Sequence, residues 1–160
     1  MLGRKQGERV TLWSQRGADF TDRFSRIAEA VRGLSADEAM IDGEAVVFMD
    51  DGKSDFHTLL TKRGWLVAVF VAFDLLRLDG DDLRQRPLEA RRGALARLIA
   101  KRRSDGIVFS EELVAEGAVV FAKACELGLE GIVSKREGSF YKSGRSRNWL
   151  KAQNPDFART

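Results

Sequence analysis

Short stretches of alternating apolar and polar residues are separated by stretches in which apolar residues recur at helical spacing. The alternation predicts strands at residues 10–14, 40–49, 106–109, 131–135 and 149–153, and the continuous apolar run 65–73 predicts a strand inside the sheet. The helical spacing predicts helices at 24–32, 88–100 and 114–127, and a short helix that ends at Leu60. This order of elements favours an α+β or mixed α/β domain with one main sheet or two.

Capping and turn residues mark several element ends. Thr21 is a candidate N-cap of the first helix and Gly33 its stop, and Ser54 or Asp55 is a candidate cap of the short helix. Strand 10–14 is the first element in this prediction. It therefore lacks a hairpin partner, and we expect it to expose an edge.

The composition indicates one folded domain. The chain has 160 residues, of which 44% are hydrophobic and 32% charged, and this excludes a disordered or fibrous protein. No apolar run reaches the roughly 18 to 20 residues of a membrane span. The first residues resemble neither a secretory signal nor a lipidation motif, so we expect a cytoplasmic protein without a membrane partner. One cysteine, Cys125, and one histidine exclude a zinc cluster.

Positive charge is concentrated near the end of the chain. The net charge is +3, but residues 135–151 hold one acid, Glu137, against six basic residues, namely Lys135, Arg136, Lys142, Arg145, Arg147 and Lys151. This segment predicts a local positive field that suits a polyanion. A second basic run, 84–103, overlaps the predicted helix 88–100, and we interpret it as mostly a solvated helix face.

Two acids in the strand at 40–49 are candidates for ligand binding. The period of two places Asp42 and Glu44 on one face, and Gly43 between them lets a ligand approach the backbone. Carboxylates at these positions can hold a ribose hydroxyl or a hydrated magnesium ion. The alternative is a solvated sheet face.

Two lysines in the last two strands are candidates for phosphate binding. Lys135 ends one strand and Lys151 lies in the next, so both amines can form a cationic clamp on phosphate. Glu130 can join the same site if it lies where its strand begins. The alternative is that both lysines are ordinary surface residues.

The serial order of the motifs carries more information than any one of them. The order is Arg16-Gly17, Asp42-Gly43-Glu44, Phe73-Asp74, Glu130-Gly131-Ile132-Val133-Ser134-Lys135 and Trp149-Leu150-Lys151. It resembles the nucleotidyltransferase motifs of ATP-dependent DNA ligases, nearly from end to end. The connecting stretches 51–56 and 140–145 look most like the ligase domain of bacterial DNA ligase D, the end-joining enzyme.

This resemblance implies the fold and the domain organisation. The expected fold is the α+β nucleotidyltransferase fold of DNA ligases and mRNA capping enzymes, which is ATP-grasp-like, with antiparallel-rich sheets flanked by helices. Residues 1–160 then form a single, incomplete nucleotidyltransferase domain, without the OB-fold domain that follows it in the family.

The resemblance also implies residue roles and cofactors. The cofactors are ATP and Mg²⁺ or Mn²⁺. The implied roles belong to six positions: Arg16 near the nucleotide, Glu44 on the ribose or a metal, Phe73 stacked on adenine, Glu130 toward a metal, and Lys135 with Lys151 on phosphates. An aromatic face suits a purine, and paired cations suit the charge of leaving pyrophosphate.

The implied partners are nicked or broken double-stranded DNA and other end-joining proteins. In the family, ATP adenylates a lysine, AMP passes to a 5′ phosphate on nicked DNA, and a 3′ hydroxyl seals the nick. A bacterial, nucleoid-associated protein in the cytoplasm follows from this resemblance. The oligomeric state stays open.

The sequence departs from the family pattern at the nucleophile. None of its eight lysines is followed by x-Asp-Gly, so no catalytic residue is assigned, and Lys5 is the lysine nearest to the gap. Gln153 stands where the family usually has a second lysine in the last motif. We therefore expect a ligase fragment that does not adenylate itself alone. The alternatives are a non-catalytic ATP- or DNA-binding module, and an RNA ligase or capping-type nucleotidyltransferase.

Overall fold

The computed structural model describes residues 1–101, 104–144 and 146–157. Within them, the chain forms a six-stranded sheet, a separate two-stranded sheet and helices packed against both. The elements in chain order are β1 (Leu2–Gln6), β2 (Arg9–Trp13), α1 (Ser25–Arg32), β3 (Glu38–Val46), α2 (Phe56–Leu59), α3 (Lys62–Val67), β4 (Val69–Leu78), β5 (Asp81–Asp82), α4 (Leu88–Ala100), β6 (Ile107–Phe109), α5 (Gly117–Glu126), β7 (Gly131–Lys135) and β8 (Trp149–Gln153).

The large sheet is antiparallel except at one edge. Its strand order is β2-β1-β3-β4-β5, and β6 pairs with β4 in parallel. The small sheet consists, in the described residues, of β7 and β8, which pair antiparallel. Antiparallel-rich sheets flanked by helices are the architecture that the family resemblance implies, so the expected α+β fold is confirmed.

The core lies between the large sheet and helices α1 and α4. Phe70 on the central strand β4 is fully buried, and its ring fills the space beside Gly3 and Gly43. A Cβ atom on Gly43 would lie 2.6 Å from the Phe70 ring and 2.6 Å from the Val71 carbonyl oxygen. The interpretation that Gly43 opens the backbone to a ligand is therefore wrong, because its missing side chain makes room for the core.

Strand β1 was not predicted, and it supplies the partner that strand 10–14 was expected to lack. It pairs with β2 on one side and β3 on the other. The alternation is hidden because the inward-facing residues of β1 are Gly3 and Lys5 rather than large apolar ones. Lys5 is 6% exposed, and its amine donates to the carbonyls of Arg32 (2.5 Å) and Leu34 (2.6 Å) at the end of α1.

The apolar run 65–73 divides between two elements. Its first part belongs to α3, where Thr61 caps the helix by accepting a hydrogen bond from the amide of Gly64. The strand begins only at Val69, so the prediction of a strand from residue 65 is wrong for its first residues and right for the buried remainder. A short apolar run does not by itself distinguish a strand from a helix.

Helix ends agree with the sequence where the caps are simple. Gly33 follows α1 as predicted, and Asp55 caps α2 through the amide of Thr58. Thr21 is not the cap of α1, since its hydroxyl oxygen accepts a hydrogen bond from the amide of Leu12 (2.9 Å). Helix α5 begins at Gly117, three residues later than predicted.

Among the described residues, no helix combines the length and the hydrophobicity of a membrane span.

Helix α4 has the predicted bounds, but its basic residues do not all face solvent. Arg91 is fully buried and Arg92 is 8% exposed, so the interpretation of a solvated basic face is wrong at these positions. Each arginine has partners on β4: Arg91 pairs with Asp74, and Arg92 donates to the carbonyl of Phe73. Arg102 and Arg103 of the same run lie outside the described residues.

Candidate functional site

Two of the predicted site residues, Phe73 and Lys135, meet between strand β4 of the large sheet and the β7–β8 pair. On β4, Asp74 lies opposite Asp42 and Ala72 lies opposite Gly43, so Phe73 is an extra residue without a direct partner on β3. This bulge interrupts the pairing next to the small sheet. The Phe73 side chain contacts β7 and β8 from there.

The β7–β8 pair presents lysine and aromatic side chains toward Phe73. Lys135 lies opposite Trp149, and Val133 lies opposite Lys151. Because opposite and alternate residues share a face of an antiparallel pair, these four side chains lie on one face. Lys135 and Lys151, which sequence analysis placed in different motifs, are therefore on the same surface.

The amine of Lys135 lies between two aromatic rings. Its Nζ atom is 4.3 Å from the centroid of Phe73 and 4.1 Å from that of Trp149. The two rings meet edge to face, with centroids 6.1 Å apart. The Nζ atom is buried and has no hydrogen-bond partner among the residues that the structure describes. Cation–π attraction stabilises the ammonium here, but its three N–H donors lack acceptors.

Burial lowers the pKa of Lys135 to about 8. Desolvation is the largest cause, and the nearby charge of Arg92 acts in the same direction, whereas the charges of Asp74 and Asp42 oppose it. The amine is therefore mostly protonated at pH 7 and loses its charge over the next two pH units. This pKa makes the cation more sensitive to pH than an ordinary surface lysine.

Tyr141 links the loop between β7 and β8 to strand β3. Its hydroxyl donates to Oδ2 of Asp42 at 3.0 Å, and its ring lies 6.1 Å from that of Trp149. Burial raises the pKa of Asp42 while this hydrogen bond lowers it, and burial together with Asp42 raises the pKa of Tyr141. Tyr141 is not among the residues that the sequence motifs indicate, although it is the only tyrosine of the chain and lies within the basic segment.

The remaining predicted acids differ in their surroundings. Glu44 is exposed on β3, where it lies opposite Val71. Glu130 precedes β7, and its Oε1 atom lies 3.2 Å from Nζ of Lys151, whose side chain is 56% exposed. Glu130 thus lies where its strand begins and meets the lysine of the neighbouring strand.

Arg16 follows β2, an edge strand of the large sheet. It is exposed in the turn after β2, and the strand register aligns that end of β2, through Leu2 of β1, with Asp42 of β3. The backbones of β2 and β3 are therefore two strand spacings apart, which corresponds to about 10 Å. The structure thus brings Phe73 into contact with Lys135, and it places Arg16 in an exposed turn at the end of the sheet where Asp42 lies.

The described residues contain no group of three or more His, Cys, Asp or Glu side chains that could hold a metal ion by themselves. Two open clefts among the described residues are lined by residues other than Phe73, Lys135 and Trp149. One of about 470 Å³ lies between α1 and residues 104–106, and one of about 180 Å³ lies beside Glu130 and Asn154. The Lys135 amine fills the space between Phe73 and Trp149, and the second cleft adjoins the candidate site only through Glu130. Arg145 lies outside the described residues.

Comparison with known proteins connects this arrangement to a family. The family model described as "ATP dependent DNA ligase domain" matches residues 1–153. The chain is 37% identical to the multifunctional non-homologous end joining protein LigD of Pseudomonas aeruginosa over 155 residues, which cover 94% of the chain and 18% of that protein. It is 31% identical to a probable DNA ligase of Streptomyces griseus, covering 93% of the chain and 32% of that protein.

Solved structures give the same picture. The ligase domain of LigD from M. tuberculosis superposes with a TM-score of 0.78 and 32% identity, over 95% of this chain and 50% of that one. Mycobacterial DNA ligase D, in a complex with ATP and MES, superposes with a TM-score of 0.77 at the same identity and coverage. The chain spans half of each of these structures, and less than a third of the two relatives compared by sequence.

Proposed function

Because the chain belongs to the family of ATP-dependent DNA ligase domains, we propose that it forms an ATP-binding nucleotidyltransferase domain whose pocket lies between β4 and the β7–β8 pair. The ammonium of Lys135 carries this proposal. It is buried between Phe73 and Trp149, and the described part of the chain offers no acceptor for its N–H groups. A buried charge without hydrogen bonds is costly, and the phosphate oxygens of ATP supply the acceptors that it lacks.

The surrounding residues fit the parts of a nucleotide. We assign the adenine ring to the aromatic face of Phe73, and the phosphates to Lys135 and Lys151 on the shared face of β7 and β8. Arg16, which is exposed in the turn after β2, supplies a further cation near the nucleotide. When ATP binds, the Lys135 amine leaves its place between the rings, which opens that space to the base.

The carboxylates fit a divalent ion only together with the nucleotide. Mg²⁺ is usually held by one or two carboxylates, waters and substrate phosphates, and Mn²⁺ accepts the same ligands. Glu44 and Glu130 are the two carboxylates that we assign to it, with Glu44 also able to bind the ribose.

The lysines of this chain do not supply the family's nucleophile. None is followed by x-Asp-Gly, and the amine of Lys5 is committed to two carbonyl oxygens at the end of α1. We propose that the 160-residue chain binds ATP without forming a lysyl adenylate. The sealing of nicked or broken double-stranded DNA, in contact with end-joining proteins on the bacterial nucleoid, is the activity that we propose for a ligase containing this domain.

Calorimetric titration with ATP and MgCl₂ tests the pocket. We expect Lys135→Gln to weaken ATP binding by about tenfold or more, because charge-assisted hydrogen bonds to phosphate are lost. Lys123→Gln is the matched control, since Lys123 is exposed on α5 and pairs there with Glu126. Equal affinities of the wild type and Lys135→Gln, or no ATP binding by the wild type, would contradict the proposed pocket.

Incubation with α-³²P-labelled ATP and Mg²⁺, followed by a denaturing gel, tests the absence of a nucleophile. We expect no labelled band. A band that maps to one lysine peptide would show that this chain carries out the first covalent step.

A non-catalytic DNA-binding module is a second candidate, because exposed cations lie in and beside the β7–β8 loop. Among them are Lys142, Arg147 and Lys151. Filter binding of nicked DNA over a salt series measures such contacts. We expect the double variant Lys142→Gln/Arg147→Gln to reduce the slope of log affinity against log salt by about two. Equal slopes, or no binding by the wild type, would reject the module.

A further inference from the structure

The candidate pocket has two walls, namely strand β4 with Phe73, and the β7–β8 pair with its loop. The guanidinium of Arg91 is buried between these two walls. Its side chain has no exposed surface, and neither has that of Asp74, with which it forms a bidentate pair. Nε lies 2.8 Å from Oδ1 and Nη2 lies 3.0 Å from Oδ2 of Asp74. The remaining nitrogen, Nη1, donates to the carbonyls of Arg86 (2.6 Å) and Ser139 (2.9 Å).

These partners belong to different walls. Asp74 directly follows Phe73 on β4, and Ser139 lies in the loop that joins β7 to β8. One planar group is therefore bonded both to the strand that carries Phe73 and to the loop beside Lys135 and Trp149. The guanidinium fork is rigid, so it fixes the distance and the angle between its partners.

The β7–β8 pair depends on such links because its strands do not extend the large sheet. In the described residues, β7 and β8 pair only with each other. Their loop is attached by Gly138, whose amide donates to Oε1 of Glu89 (2.7 Å), and by Tyr141, whose amide donates to the Arg84 carbonyl (2.9 Å). Arg91 is the fully buried member of this set of attachments.

We propose that Arg91 is a positioning residue for the nucleotide pocket. Through Ser139 and Asp74 it holds the β7–β8 wall against the Phe73 wall, and so sets the spacing of the rings around Lys135. The effect on ATP rests on the proposed function, but the effect on the position of Trp149 does not.

A purely structural role predicts something different. Replacing both members of a buried ion pair with apolar residues is often neutral or stabilising for the fold, because neither charge must then be desolvated. If Arg91 only filled the core, the double variant Asp74→Leu/Arg91→Met would leave Trp149 where it is. If Arg91 positions the loop, the fold survives but the hydrogen bond to Ser139 is lost.

Fluorine NMR of the full chain labelled with 5-fluorotryptophan separates these outcomes. The chain has three tryptophans, and Trp149→Phe assigns the resonance of interest. In Asp74→Leu/Arg91→Met we expect this resonance to move toward the position of a solvent-exposed tryptophan. The signals of Trp13 and Trp65 should stay in place, which shows that the large sheet is intact.

Two further variants complete the test. Arg97→Met removes an exposed arginine of the same helix and should leave all three resonances unchanged. Arg91→Lys keeps the charge beside Asp74, but a single ammonium does not reproduce the fork, so we expect the Trp149 resonance to shift in the same direction. This variant decides the question if the double variant does not fold.

Nucleotide titration gives the functional readout. We expect ATP affinity to fall about tenfold or more in Arg91→Lys, because misplaced walls lose oriented contacts. A folded double variant, or a folded Arg91→Lys, with an unchanged Trp149 resonance would overturn the proposal, and so would failure of both variants to fold. A shifted resonance in a chain whose wild type does not bind ATP would uphold the positioning role and reject the proposed function alone.

Discussion

The six-stranded sheet and the β7–β8 pair are stabilised in different ways. Phe70, Leu12 and Ile41 in the large sheet have no exposed surface, whereas Val133 and Leu150 in the small sheet are 52% and 67% exposed. The small sheet is attached by ring contacts, one buried guanidinium and a few hydrogen bonds from its loop. The candidate nucleotide-binding residues lie where the large sheet, with its buried core, meets the weakly attached small sheet.

This contrast has a physical consequence. Burial of apolar area makes the large sheet the main source of stability, at about 25 cal/mol per Å² buried. Polar attachments contribute less net free energy but have strict geometry. The β7–β8 pair can therefore change position at a smaller cost in free energy than the core can.

The largest expected difference concerns the core. We expect Phe70→Ala to lower the free energy of unfolding by about 3–5 kcal/mol, because it removes a fully buried ring beside Gly3 and Gly43. Leu150→Ala, at an exposed position of β8, should change it by less than about 0.5 kcal/mol. Urea unfolding followed by far-UV circular dichroism measures both. Similar losses would show that the two regions contribute equally.

An intermediate effect is expected from the charge of Lys135. Its pKa of about 8 in the free protein implies that a proton is lost above that pH, while bound phosphate keeps the amine charged. ATP affinity should therefore fall as pH rises above about 8, by up to about tenfold per pH unit. Lys135→Gln should lack this component between pH 7 and 9.5, and titration calorimetry compares the two profiles. Parallel profiles would contradict the assignment.

The smallest expected effect concerns the loop. The Glu89 carboxylate accepts a hydrogen bond from the amide of Gly138, and this bond lowers the pKa of Glu89. Glu89→Ala should cost about 0.5–1.5 kcal/mol locally and speed hydrogen exchange at Gly138, with core amides of β4 unaffected. Glu89→Gln retains an acceptor and serves as the control. Unchanged exchange at Gly138 in the alanine variant would show that this bond does not hold the loop.

The sequence was sufficient to predict those helices and strands whose buried positions hold apolar residues. Helix α4 has the predicted bounds, and β7 and β8 were found from short alternating patterns. Strand β1 was missed because its inward positions are Gly3 and Lys5, which carry no hydrophobic signal.

The site was predictable in part. The ordered motifs indicated Phe73 and Lys135, which the structure places in contact although 62 positions separate them. Tyr141 and Arg91 were missed because their importance depends on partners distant in sequence, namely Asp42 and the Ser139 carbonyl. No periodicity reports such a pairing, and a buried arginine has the same letter as a solvated one.

The buried amines of Lys5 and Lys135 can also be used to measure how often each region of the molecule opens. Lys5 is covered by the end of α1, and Nζ of Lys135 is covered by aromatic rings. An acylating reagent that modifies surface lysines reaches the first only when β1 separates from α1, and the second only when the small sheet moves. Mass spectrometry of the acylated peptides therefore gives two separate opening rates from a single reaction, one for each region.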